Sequence, residues 1–141
     1  MIVLDTNVIS EMMKPRASDT VCQWMAAQVE GAMYTTSITL AEVHYGLELL
    51  PVGKRRSALE EATEIMFEQT LNGRILLFDE DAARVFAQIM AKRDRLGKPM
   101  GEMDAQIAAI ARSRGAAVAT RNTRDFADCG IKLIDPWAYS N

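Results

Sequence analysis

An α/β fold, a three-layer α/β/α sandwich around a mostly parallel central sheet, is predicted by three features of the chain. Short, largely β-branched or apolar runs alternate with longer stretches of helical periodicity from one end to the other, the pattern of repeated strand–helix–strand units. The first run, Ile2-Val3-Leu4, is apolar throughout and stops at Asp5, as expected of a strand covered on both faces. The length of 141 residues, with 49% hydrophobic and 25% charged, is that of one globular domain spanning 1–141.

After that strand, Asn7 to Met13 reads as a short helix broken by Pro15. Ser18 is a suitable N-cap for a helix through about Val29, with Gly31 beyond its end. Met33 to Thr36 is a second strand, and Ser37 caps a helix to about Leu50, ended by Pro51-Val-Gly53. Residues 54–72 form an amphipathic helix. Arg56, Glu60, Glu64 and Glu68 make its polar stripe, and Leu59, Ala62 and Met66 its apolar one. Ile65 and Phe67 fall off that apolar stripe, and Leu40, Val43, Leu47 and Leu50 form another on the preceding helix. Either these helices pack on each other, or they leave surface for a partner peptide or a second copy of the chain. Gly73 closes the 54–72 helix, and Arg74 to Phe78 is a third strand. Asp79 is expected to cap a helix from about Glu80 to Leu96, which ends at Gly97 and Pro99. A helix over Glu102–Arg114 ends at Gly115, followed by a fourth strand at Ala116–Ala119 and a short fifth at Lys132–Ile134.

Several classes of chemistry are excluded. Cys22 and Cys129 form no CxxC pair and His44 is the only histidine, so neither a cysteine nor a histidine zinc site is available. His44 reads as a structural or surface residue. There is no GxxxxGK[ST] phosphate loop and no GxGxxG after the first strand. The opening MIVLD lacks a basic segment and a long apolar run, so a signal peptide or membrane span is not expected and the cytoplasm is the expected location. Net charge is −3, but unevenly spread. Residues 1–70 hold five Lys and Arg against ten Asp and Glu, whereas 71–141 hold eleven against nine. The basic clusters Lys92, Arg93, Arg95, Lys98 and Arg112, Arg114, Arg121, Arg124 are solvated faces or a local phosphate-contact strip.

The chemistry is expected where strands end, because open parallel sheets bind ligands outside the carboxyl ends of their strands. Asp5 follows the first strand directly; alone it is equally a helix cap. Glu42 shares a helical stripe with Ile38, Tyr45 and Leu49, so it is either compensated by a cation or donor, or sits at an exposed edge. Asp104 lies on the face of Ile107, Ala108 and Ala111, in a first turn where the helix dipole also favours an anion. Asp125 follows the fourth strand and is itself a possible cap. Together, four acids gather near one edge of the sheet, where like charges cannot crowd without a cation. Oxygen-only ligands select a hard divalent ion, Mg²⁺ or Mn²⁺, and the chemistry that fits is phosphodiester hydrolysis by metal-activated water. A receiver domain, with Asp79 after the third strand, lacks its acidic pair at Asp5-Thr6-Asn7, and a haloacid-dehalogenase phosphatase would need an acid where Asn7 stands.

Four segments carry a family resemblance: Ile2-Val-Leu-Asp-Thr-Asn-Val-Ile-Ser10, Ser37-Ile-Thr-Leu-Ala-Glu-Val-His-Tyr-Gly46, Asp104-Ala-Gln-Ile-Ala-Ala-Ile-Ala111 and Val118-Ala-Thr-Arg-Asn-Thr-Arg-Asp-Phe126. In this order and spacing the chain resembles the PIN-domain ribonucleases, and among them the toxins of VapBC-type toxin–antitoxin pairs, especially the FitB-like branch. The resemblance implies a PIN-like sandwich in which Asp5, Glu42 and Asp104 hold the metal directly. Asp125 would act on a second ion or through water, and Asn7, Thr120 and Asn122 would orient carboxylates or waters. It further implies an RNA substrate, a homodimer and a small DNA-binding antitoxin. The alternatives are a PIN nuclease of RNA processing without an antitoxin, and a catalytically idle partner-binding module whose acids only cap helices.

Overall fold

The computed structural model describes residues 1–141. Five short strands form one sheet: β1 (Ile2–Leu4), β2 (Met33–Thr36), β3 (Ile75–Leu76), β4 (Ala117–Ala119) and β5 (Leu133–Ile134). Their order is β3-β2-β1-β4-β5, and every neighbouring pair is parallel, so the sheet expected to be mostly parallel is wholly so. Val3 lies opposite Tyr34 on one side and Val118 on the other. The chain starts in the centre, moves outward through β2 and β3, and returns across β1 to β4 and β5. The strand order therefore reverses between β1 and β4, which opens a crevice there.

Parallel strands need crossovers, and six helices supply those from β1 to β4: α1 (Thr6–Met12), α2 (Asp19–Ala26), α3 (Ser37–Leu49), α4 (Lys54–Glu64), α5 (Glu80–Arg95) and α6 (Glu102–Ser113); a 3₁₀ turn over Thr123–Phe126 lies between β4 and β5. The two-residue period of the strands divides the core. Val3, Leu76 and Val118 face α5 and α6, where Ile89, Ile107 and Ile110 are fully buried. Leu4 and Ala119 face the opposite layer, built from Val8 and Ile9 of α1, Val21 and Trp24 of α2, and Val43 of α3. The alanines 105, 108, 109 and 111 are also fully buried, so α6 can lie close on the sheet and on α5.

Beyond one-residue shifts at element ends, the structure differs from the expected elements in four places. α2 stops at Ala26 rather than near Val29, whose side chain is exposed. Thr36, not Ser37, caps α3: its hydroxyl accepts from the Thr39 N–H at 3.1 Å. β3 is only two residues long because its partner β2 turns into α3 after Thr36, leaving Leu77 and Phe78 without a strand to pair with. The amphipathic helix over 54–72 is α-helical only to Glu64 and continues as a π-helical turn over Ile65–Thr70. There the Leu71 N–H donates to the Met66 carbonyl at 3.0 Å, a spacing of five residues. The wider turn takes in one more residue, so Met66 and Phe67 are both buried and Leu71 follows them into the core. Phe67, off the stripe at a period of 3.6, is thus a core residue, while Ile65 stays largely exposed.

Candidate active site

The crevice between β1 and β4 is closed by a hydrogen-bond network centred on Asp5. Its N–H extends the sheet by donating to the Ala119 carbonyl at 2.9 Å. Its Oδ1 accepts from the Thr6 N–H at 2.8 Å, so Asp5 does cap α1. Capping uses one oxygen; the other accepts from Thr120 Oγ1 at 2.9 Å and Asn7 Nδ2 at 3.2 Å. The Thr120 hydroxyl accepts in turn from Asn7 Nδ2 (3.2 Å) and the Asn122 N–H (3.0 Å). Asn7 and Thr120 therefore orient Asp5 across the crevice, while Asn122 contributes through its backbone and lines the cavity in front.

Glu42 reaches the same place from α3. Thr6 Oγ1 donates to its Oε1 at 2.8 Å and lies 3.1 Å from the Thr39 hydroxyl. The buried stripe of α3 is Thr39, Val43 and Leu47; Tyr45 and Leu49 are 67% and 68% exposed. Glu42 thus stands at the border between core and solvent, and two of the three apolar neighbours that frame it in sequence run along the surface. Asp104 enters from the first turn of α6, half-buried, above the buried Ile107, Ala108 and Ala111.

Asp5, Glu42 and Asp104 line one cavity of about 410 Å³, together with Arg121, Asn122 and Trp137. Asp125 does not open on it. It is exposed, on the 3₁₀ turn Thr123–Phe126, and shares with Asp104 a neighbouring cavity of about 240 Å³. The acids feel one another. Burial first, and then the charges of Asp5, Asp125 and Glu42, push the Asp104 carboxyl up to about 6, with no hydrogen bond to offset them. Burial also raises Asp5, against the hydrogen bonds from Thr120 and Thr6, and Glu42 and Asp125 add to the rise. An all-oxygen donor set in which Asp5 and Asp104 are pushed toward protonation is chemically suited to a hard divalent cation. As placed, no three of these carboxylates meet closely enough to share one ion. The half-buried Glu42 and Asp104 would have to turn toward a cation for that.

Two residues of the site escape a reading of the sequence. Thr6 lies inside Asp5-Thr6-Asn7, but only the approach of α3 makes it a donor to Glu42. Arg93, which the sequence groups with a solvated basic cluster, is only 6% exposed. Its Nη1 donates to the carbonyls of Asp125 and Ala127, both at 2.9 Å, and its Nε to the Lys98 carbonyl at 2.7 Å. One guanidinium thereby ties the turn carrying Asp125 to the turn leading into α6 and Asp104, a task its planar fork suits. Neither His44, exposed on α3, nor Arg124 lines the cavity.

Beside the acidic cavity runs an apolar groove of about 640 Å³ between α1, α3 and α4, with Val43, Leu47, Leu50 and Leu59 on its walls. Thr6, Ser10, Lys14 and Glu42 line both. No helix is long and apolar enough to cross a membrane.

Comparison with known proteins adds to this geometry. A family model described as the PIN domain matches residues 2–132. The chain is 44% identical over 137 residues to the VapC ribonuclease Y4jK of Sinorhizobium fredii, covering 97% of this chain and 98% of that one. It is 38% identical to the toxin FitB of Neisseria gonorrhoeae, covering 97% and 99%. The structure of FitAB bound to an IR36 DNA fragment superposes with a TM-score of 0.91 at 37% identity, over 100% of this chain and 99% of that one.

Proposed function

This chain belongs to the PIN-domain family, and on that premise we propose that it is a metal-dependent endoribonuclease, the toxin of a VapBC-type toxin–antitoxin pair. The observation that carries the reading is the convergence of Asp5, Glu42 and Asp104 on one cavity at the β1–β4 crevice, in a chain so similar to a VapC ribonuclease and to toxin FitB. The one domain of residues 1–141 holds the whole site.

Asp5, Glu42 and Asp104 would hold Mg²⁺ or Mn²⁺, with Asp125 acting on a second ion or through water. When bound, the ion supplies a nucleophilic water at neutral pH and offsets charge on the phosphodiester. Thr120 and Asn7 orient the Asp5 carboxylate, and Thr6 steadies one oxygen of Glu42, leaving its other oxygen for a cation. Asp104, with no donor on its carboxylate, is free to turn. Water adds to phosphorus, the P–O3′ bond breaks, and the 3′-oxygen takes up a proton, leaving a 5′-phosphate and a 3′-hydroxyl. The purified chain should therefore cleave single-stranded RNA with Mg²⁺ or Mn²⁺ and leave those ends. Cleavage that survives EDTA, or 2′,3′-cyclic phosphate ends, would refute the mechanism.

The partner is a small DNA-binding antitoxin, in keeping with the FitAB complex on DNA. The apolar groove suits a segment of that partner, and because it shares Glu42 with the acidic cavity, an arginine from the segment could pair with Asp5, Glu42 or Asp104. The exposed Tyr45 and Leu49 of α3 offer a surface to a second copy in a homodimer. The complex would act in the cytoplasm. Co-expression with the product of the adjacent gene should silence the nuclease. Replacing the inserted arginine by alanine should restore cleavage within an intact complex.

A further inference from the structure

An RNA phosphate approaching this site meets the carboxylates of Asp5, Glu42 and Asp104 in one cavity, so a cation on the same wall helps to offset them. The cavity wall offers Lys14 and Arg121. Lys14 is paired with Glu11 at 3.1 Å, and Glu11 is further fixed by the Ser18 N–H at 3.0 Å. Arg121 takes part in none of the ion pairs of the chain. Its guanidinium instead lies over the Trp137 ring, 5.1 Å from the centroid. Trp137 is held there by its own turn, Pro136–Ala138, where its N–H donates to Asp135 Oδ1 at 2.9 Å, and by packing on the core beneath α2. At the other end the Arg121 N–H donates to Asn7 Oδ1, which belongs to the network that orients Asp5. Arg121 is thus an exposed cation in no direct ion pair, its charge reaching Glu11 only at longer range, laid on an aromatic platform and tied beside the reacting centre. Arg124, equally exposed, lies outside the cavity.

Resting on the reading of RNA as substrate, we propose that Arg121 on its Trp137 platform is a phosphate-binding subsite for the RNA backbone beside the scissile bond. A guanidinium can donate two parallel hydrogen bonds to a phosphate, and here it does so without breaking an internal ion pair. Trp137 acts as a positioning residue that sets the plane of the fork.

The test is binding of a fluorescent 12-nucleotide single-stranded RNA, read by anisotropy across a salt series in Mg²⁺, with Asp104→Asn as the common background. Arg121→Ala should weaken binding about fivefold at 0.1 M salt and make the log–log salt slope shallower by about 0.7, the effect of one lost phosphate contact on a single strand. Arg121→Lys should keep the slope. Trp137→Leu should weaken binding with the slope kept, because the charge remains. Arg124→Ala, the same charge removed outside the cavity, should leave both unchanged. In the cleaving protein, Arg121→Ala should raise KM and spare kcat. If the parent binds RNA and Arg121→Ala leaves its slope intact, or Arg124→Ala reproduces the loss, the subsite is wrong while the RNA reading stands. If the parent binds no RNA, both fall.

Discussion

Asp5 and Asp79 hold the same local position and do opposite things. Each comes after a strand, β1 or β3, each caps the helix that follows, and each accepts a backbone N–H, from Thr6 at 2.8 Å and from Ala82 at 3.0 Å. Yet the Ala82 hydrogen bond, helped by Arg114, holds the Asp79 carboxyl below its usual range, whereas burial and neighbouring acids push Asp5 above it. Place in the sheet makes the difference. Asp79 lies by the edge strand β3, in solvent, paired with Arg114 at 3.1 Å. Asp5 lies where the strand order reverses, and α3, α6 and the 3₁₀ turn bring other acids to it. A strand-end aspartate is a cap by default and becomes a candidate for chemistry only where topology delivers more carboxylates.

The contrast breaks most visibly in activity. Asp5→Asn, Glu42→Gln and Asp104→Asn should each lower RNA cleavage by on the order of a hundredfold or more, the scale of losing a group that holds a catalytic cation. Asn is a good N-cap, so Asp5→Asn should still fold. Asp79→Asn should leave cleavage within about twofold. Equal losses in initial-rate assays at both aspartates would end the distinction.

The next effect concerns Arg93, which ties the turn of Asp125 to the turn leading into α6. Arg93→Met should lower cleavage about tenfold, on the scale of a lost partner behind a metal ligand. It should speed amide hydrogen exchange at residues 123–127, and Arg93→Lys should restore only part of both. Unchanged exchange would show that the 3₁₀ turn is held by other contacts.

The smallest effect, a change in Tm, has opposite signs at Asp104, in the acidic cavity, and at Asp79. Asp104, raised to about 6 in the folded chain, contributes stability that is complete below its unfolded value of about 3.8 and is lost as pH rises through about 6. Asp79, held low, contributes stability present above its unfolded value and lost as pH falls through its folded one. In the metal-free protein, Asp104→Asn should therefore flatten the fall in Tm between pH 4 and 6.5. Asp79→Asn should instead flatten the loss on the acid side. Mg²⁺ or Mn²⁺ at neutral pH should raise the Tm of the parent by binding linkage and do little for Asp104→Asn. Calorimetry over a pH series checks all three.

The strand–helix alternation and the positions of Asp5, Glu42 and Asp104 are legible in the sequence because they depend on local periodicity and strand ends. What is not legible depends on geometry across the sheet. Phe67 enters the core through a π turn that no period of 3.6 predicts. Arg93 sits among Lys92, Arg95 and Lys98 and looks like them. What sets it apart is the carbonyls of Asp125 and Ala127, some thirty positions on, which join that of Lys98 in satisfying its guanidinium. Asp125 follows β4 as expected, but its turn carries it round Asp104 into the adjoining cavity. Thr6 is one hydroxyl among many until α3 sets Glu42 against it.

The wall shared by the apolar groove and the acidic cavity bears on the kinetics of inhibition. On the proposed reading, a segment lodged against Leu47 and Leu59 would hold its neighbouring residues beside Glu42. A charged side chain on that segment would meet the carboxylates at an effective concentration on the order of millimolar, whatever the amount of inhibitor in the cell. Weak contacts at the groove and at the acids would then multiply into one slow dissociation. That side chain would compete with the catalytic metal for Glu42, so inhibited enzyme would not cleave, and the nuclease should respond to the ratio of inhibitor to enzyme as a stoichiometric titration with a sharp endpoint. Free enzyme would appear only once the inhibitor falls below parity.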